Sequence, residues 1–221
     1  MLNAKRYLED LTAVLREKFG ERLVYVGLQG SYLRGEATEE SDIDIMVVVE
    51  DLQVEDLAEY RAAIEGLECP EKSCGFVCGK EDLLRWNPLE ICHLLHTTED
   101  HVGVLAELVP KFTREDATNF VKLGVNNLFH EICHRYIHGS REKNETRLAG
   151  SYRQVFFLLQ NLYFLESGKF LPDKRSLQGA LTGEDRRVLE TAMALQTGQP
   201  VEFDRAFSEL FRWCKGVLER L

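Results

Sequence analysis

The stretch GLQGSYLRGEATEESDIDIMVVV, residues 27–49, decides the reading of this chain. From Ile43 to Val49 it is apolar and rich in β-branched residues, the composition of a buried strand. Yet Asp42 and Asp44 stand at its head, where a core strand has no use for charge. Strand side chains alternate, so Asp42 and Asp44 share one face while Ile43 and Ile45 share the other. Two residues apart, the carboxylates are separated by about 7 Å along the backbone. Left alone they repel, and burial raises the cost. A divalent cation with hard oxygen ligands, such as Mg²⁺, removes the conflict and keeps open positions for phosphate oxygens.

Just upstream, LVYVGLQ (23–29) reads as another strand, and Gly30-Ser31 follows it directly. A glycine there lets the backbone approach a ligand, and successive N–H groups cradle a phosphate. The Ser31 hydroxyl adds a hydrogen bond, and Arg34 is placed to reach an anion. A lone Gly-Ser is a turn, and a lone D-x-D is an exposed strand end. Their combination at a fixed spacing, between two strands, is far more specific.

Working outward, residues 3–19 carry apolar side chains at helical spacing, and Gly20 ends that helix. Residues 54–66 read as a second helix, GFVCG (75–79) as a third strand and ICHLLHTT (91–98) as a fourth. Beyond Pro110 the pattern is helical only, with helices expected from Thr113 to Gly139 and over 147–167, 183–196 and 202–220. The expected fold is an α/β (α+β) domain with a mixed sheet over 1–110, then an all-α helical bundle over 111–221.

Composition narrows the classes. With 27 Lys and Arg against 37 Asp and Glu, the net charge is −10, which disfavours the counterion displacement that nucleic-acid binding needs. The absence of a long apolar run or secretory pattern predicts a cytoplasmic chain without membrane association. Six cysteines without paired CxxC motifs predict reduced thiols, buried as small hydrophobes. Cys69, Cys74, Cys78, His93 and His96 offer zinc ligands, but at irregular spacing.

Gly30-Ser31, ten residues, then Asp42-Ile43-Asp44 resembles the GSx10DxD signature of the DNA polymerase β nucleotidyltransferase superfamily. GSYLRGEATEESDIDIMVV also looks like the GSxARGxxxxxSDIDLxV form of small nucleotidyltransferases and their aminoglycoside-modifying relatives. The resemblance implies a Mg²⁺- or Mn²⁺-dependent enzyme that moves a nucleoside monophosphate from an NTP, with ATP expected, to an acceptor hydroxyl with loss of pyrophosphate. It makes Asp42 and Asp44 the catalytic metal ligands and Gly30 and Ser31 nucleotide-binding. Lys174 and Arg175, after a Pro-containing turn, are candidates to reach a triphosphate, as basic residues outside the Gly-Ser loop do in related transferases, the alternative being solvated charges at a helix N-terminus. The acceptor is a small molecule or a protein. Homodimer formation is open, since relatives often dimerise.

Two features compete with this reading. The family usually carries a third carboxylate on a later strand, and CGFVCG has none; Glu68, Glu71, Glu81 and Asp82 flank it. A nucleotide-binding or interaction protein on an impaired transferase scaffold is therefore an alternative. The second feature is HEICH (130–134), a match to H-E-x-x-H. On a helix His130 and His134 share a face, with Glu131 as the base of a zinc peptidase. Against it, Arg135 follows directly, and Ile137 and Ser140 stand where the extended motif needs Gly and His.

Overall fold

The computed structural model describes residues 2–221. The chain divides into two compact units, residues 1–112 and 113–221. In the first, α1 (Ala4–Phe19) leads through a single 3₁₀ turn into β1 (Leu23–Leu28). A one-turn helix, α2 (Gly30–Leu33), and a polar loop connect to β2 (Ile43–Val49). Then follow α3 (Val54–Glu65), β3 (Ser73–Gly79), α4 (Lys80–Leu84), α5 (Pro88–His96) and β4 (Glu99–Val102). The sheet order is β3-β2-β1-β4. β1 pairs antiparallel with β2 and β4, and β2 pairs parallel with β3.

β2 is apolar on both sides because both sides are covered. Ile43, Ile45, Val47 and Val49 pack with Leu8, Leu11 and Leu15 of α1 and Ala63 of α3. Met46 and Val48 face the opposite core, with Tyr25, Leu83 and Leu105. Arg22 fixes the far end of this strand. Its guanidinium donates to the Glu50 carbonyl at 3.2 Å and to the Asp56 carboxylate at 2.6 Å, and holds the Asp56 carboxyl below the usual carboxylate range.

The parallel β2–β3 pairing requires Gly75. Its φ is +146°, and an added Cβ would lie 2.0 Å from the Ile45 carbonyl oxygen. Only a residue without a side chain lets β3 run this close to β2.

One expected strand is a helix. ICHLL belongs to α5, and the fourth strand starts later, at Glu99. A short apolar run does not distinguish buried strand from buried helix. Here the Asn87 side chain accepts a hydrogen bond from the Leu89 N–H, and Pro88 opens the first turn, so the cap decides for the helix. The helix expected over 147–167 is two: α7 (Arg141–Arg153) and α8 (Val155–Ser167), meeting at Gln154.

The second unit is helical throughout, comprising α6 (Arg114–His138), α7, α8, α9 (Lys174–Ala180), α10 (Gly183–Gln196) and α11 (Phe203–Arg220). Thr113 and Asp116 form a reciprocal capping box at the start of α6. Its core includes Val121, Val125, Leu159, Leu162, Leu210 and Trp213, all at most 1% exposed. Tyr152 of α7 is core, donating its hydroxyl to the Ala206 carbonyl at 2.9 Å. Among the described residues no helix is long and apolar enough to cross a membrane.

Gly75→Ala forces strain and a backbone collision together and is expected to destabilise the first unit by of order 1–3 kcal/mol. The check is urea denaturation followed by circular dichroism; an unchanged midpoint contradicts the requirement.

Candidate functional site

The first strand ends at Leu28, and the antiparallel register sets it opposite Ile45. One residue on, the Gln29 N–H donates to the Asp44 carbonyl at 2.8 Å, so the ladder persists to the point where the chain turns. Gly30 makes that turn at φ +71°. The Asp44 carboxylate lies directly over it: an added Cβ would sit 1.8 Å from Asp44 Oδ2. Gly30 is thus needed twice, for its left-handed backbone and to leave room for the carboxylate. The Gly-Ser turn and Asp44 of the D-x-D pair are thereby brought together.

Gly30 and Ser31 open α2. Gln29 at the N-cap makes no side-chain bond to the turn, so it leaves the first N–H groups unclaimed by a cap. The Ser31 carbonyl accepts from the Glu36 N–H at 2.9 Å, which closes the following loop. The Ser31 hydroxyl makes no hydrogen bond among the described residues. Neither Asp42 nor Asp44 forms an ion pair within the described chain, although both stand on the rim of an otherwise apolar sheet. Two adjacent carboxylates without a counter-charge, beside a hydroxyl and free N–H groups, fit a hard divalent cation and a phosphate. The donor set stops there. Among the described residues no three His, Cys, Asp or Glu side chains form a group able to hold a metal ion.

The remaining expected residues are placed differently. Arg34 is half-buried and pairs with Glu36 at 3.0 Å, so its charge belongs first to the loop. It also lies near His93 of α5. Burial, then His96 and Arg34, push the His93 imidazole down to about 4, so this ring is neutral at pH 7. The sequence offered His93 only as a zinc ligand, and its place beside Arg34 went unseen because its segment was expected to be a strand. Lys174 and Arg175 belong to the second unit, in the first turn of α9, which Asp173 caps by accepting the Ser176 N–H at 2.8 Å. The turn before it is anchored by buried Gln160, whose side-chain nitrogen donates to the carbonyls of Leu171 and Pro172. The Lys174 ammonium lies 5.0 Å from the Phe156 ring centroid, and Arg175 is exposed.

The two carboxylates that follow β3, Glu81 and Asp82, do not supply a third ligand on the face of Asp44. Asp82 turns back to accept the Gly79 N–H at 3.2 Å, and Glu81 pairs with Arg85 on the surface. Gly79 pairs with Val49, at the other end of β2 from Asp44, so this corner is remote from the site. Opposite Asp44 in the register stands Cys74. Burial and the nearby Asp44 carboxylate raise its thiol above the ordinary value.

Other thiols are structural. Cys78, Cys92 and Cys214 are buried, with pKa values pushed up to about 12, 11 and 12 by burial. Cys69 and Cys133 are partly exposed, and Cys74 is exposed, which corrects the expectation of uniform burial. In HEICH, Glu131 pairs with Arg135 and accepts the Ser151 hydroxyl at 2.8 Å. His130, His134 and His138 form an exposed ladder on α6 with ring centroids 6.0 and 4.8 Å apart. A zinc peptidase needs an unpaired Glu131 and a third ligand, and neither is present among the described residues.

Residues 8–72 match the family model described as a nucleotidyltransferase domain. The chain is 49% identical over 57 residues to the protein adenylyltransferase MntA of Thermococcus cleftensis, an overlap of 24% of this chain and 56% of the relative. It is 42% identical over 64 residues to a putative protein adenylyltransferase of Methanocaldococcus jannaschii, covering 29% of this chain and 62% of that protein. The chain therefore spans little more than half the length of the curated relatives it matches. Across 98% of this chain and 100% of the other, the fold is similar to that of spectinomycin adenyltransferase AAD(9) from Enterococcus faecialis, a structure with ATP and spectinomycin (TM-score 0.59, 14% identity).

The closeness of Gly30 to Asp44 has a measurable consequence. Gly30→Ala is expected to cost more than the about 1–2 kcal/mol of left-handed strain alone, because it also displaces the carboxylate. In an Asp44→Ala background the same substitution costs less, since only the strain remains. Equal penalties in both backgrounds, measured by urea denaturation, contradict the close packing.

Proposed function

We propose, on the premise that this chain carries a nucleotidyltransferase domain of the DNA polymerase β superfamily, that it is an adenylyltransferase passing AMP from ATP to a hydroxyl of a protein or small molecule. The observation that carries the reading is the Asp42–Asp44 pair, unpaired with any basic side chain, with the Asp44 carboxylate packed over Gly30. Similarity to adenylyltransferases over the same residues supports it, and the ATP in the structural relative supports the choice of nucleotide.

Each residue then has a task. Gly30 lets a phosphate approach the backbone, and the Ser31 hydroxyl donates to a phosphate oxygen. Asp42 and Asp44 hold the divalent cation, Mg²⁺ or Mn²⁺. When bound, that cation supplies charge neutralisation at the nucleotide phosphates. Arg34, steadied by Glu36, adds positive potential behind the loop, and Lys174 and Arg175 are basic residues suited to a triphosphate. The acceptor oxygen attacks the α-phosphorus, and the bond to the departing pyrophosphate breaks in line with it. The net charge of −10 sets the chain against a polynucleotide acceptor.

A second reading rests on Cys74. With a thiol where a third carboxylate would face Asp44, the site binds nucleotide but turns it over poorly. ATP labelled at the α-phosphate separates the two. The enzyme is expected to transfer label to a small hydroxyl acceptor or to protein, and Asp44→Asn to reduce transfer by at least about 100-fold. Labelled ATP that binds but releases no pyrophosphate with any acceptor favours the second reading.

A further inference from the structure

We propose that Thr98 is a positioning residue for nucleotide binding: by holding the Gln29 side chain, it keeps the Gly30-Ser31 turn open to a phosphate and so sets the affinity for ATP. This rests on the reading of that turn as a nucleotide-phosphate site.

Gln29 stands between β1 and the turn and is held from two sides. On the side of β2 its main-chain N–H donates to the Asp44 carbonyl at 2.8 Å. On the side of β4 the register pairs Leu28 with Glu99, so the antiparallel run brings Thr98 beside Gln29. There the Gln29 side-chain nitrogen donates to the Thr98 hydroxyl at 2.8 Å. That hydroxyl in turn donates to the Leu94 carbonyl, in the last turn of α5, at 2.8 Å. Thr98 is thus acceptor and donor at once, and the two bonds polarise one another. Leu94 packs against the core that holds Met46 and Val48, so the chain of bonds ends on a fixed part of the fold.

The other end of the turn meets the same helix. Burial, then His96 and Arg34, lower the His93 imidazole, and Arg34 follows α2 directly. The C-terminal half of α5 therefore stands beside the chain both before Gly30 and after Leu33.

Gln29 occupies the capping position of the turn, yet its side chain makes no bond there. A released glutamine amide has a carbonyl oxygen that accepts from nearby N–H groups. It would compete with a phosphate for the N–H groups of Gly30 and Ser31. Bound to Thr98, the amide is withdrawn from that competition, and the turn keeps its donors for phosphate oxygens.

Calorimetric titration of the intact chain with ATP in the presence of Mg²⁺ tests this. Thr98→Val keeps the branched shape but neither bond, and is expected to raise the ATP dissociation constant about tenfold, the worth of one net hydrogen bond. Thr98→Ala is expected to behave as Thr98→Val, and Thr98→Ser, which restores the hydroxyl, to bind as the wild type does. In a Gln29→Met background there is no amide to hold, and adding Thr98→Val is expected to change the constant by less than about twofold. Wild-type affinity in both Thr98→Val and Thr98→Ala overturns the assignment. So does an equal loss with and without the Gln29 amide, which is the result of a merely structural role for Thr98. In either case ATP binding by the wild type still stands, and only the role of Thr98 fails. A wild type that binds no ATP overturns the reading of the turn and this assignment with it.

Discussion

The first unit is organised around two uncompensated negative charges at the head of its most buried strand. β2 is covered on both sides by apolar side chains, and the pairings that hold it in place are unusually close. β3 touches it through Gly75, and the turn after β1 passes beneath Asp44 through Gly30. Nothing within the described chain neutralises Asp42 or Asp44. A sheet that buries aliphatic residues efficiently would replace them, since isolated charges near a low-dielectric core are costly. Two such charges at the head of a strand so closely packed are the physical basis of the proposed cation-dependent function.

The remainder of the site is built to keep those charges available. The basic residue nearest the Gly-Ser turn, Arg34, is bound to Glu36, so it does not collapse onto the aspartates. His93 is neutral at pH 7 and brings no competing positive charge. Preorganisation of this kind keeps a binding site from relaxing into an internal salt bridge.

Much of this was legible in the sequence. The apolar run behind the aspartates marked a strand buried on two sides, whereas the alternation expected to set both aspartates on one face reaches only Asp44, because β2 starts at Ile43 and Asp42 lies just before it. The helical second unit followed from periodicity alone. ICHLL was misread because five apolar or neutral residues satisfy strand and helix equally, and the decision lay in the Asn87-Pro88 cap just upstream. The break between α7 and α8 at Gln154 leaves no Gly or Pro as a marker. The approach of Asp44 to Gly30 and the pairing of Asp44 with Cys74 depend on register between strands distant in sequence, which no local pattern encodes. HEICH shows the reverse: a short motif matched, but Arg135 and Ser151 claim its glutamate.

The central claim is that Asp42 and Asp44 bind a nucleotide together with a divalent cation. Calorimetric titration of ATP with and without Mg²⁺ or Mn²⁺, on the wild type and on the Asp42→Ala/Asp44→Ala double variant, tests it most directly. The account predicts ATP binding that depends on the cation and disappears in the double variant. Binding of equal strength in the variant, or none to the wild type under either condition, would contradict it.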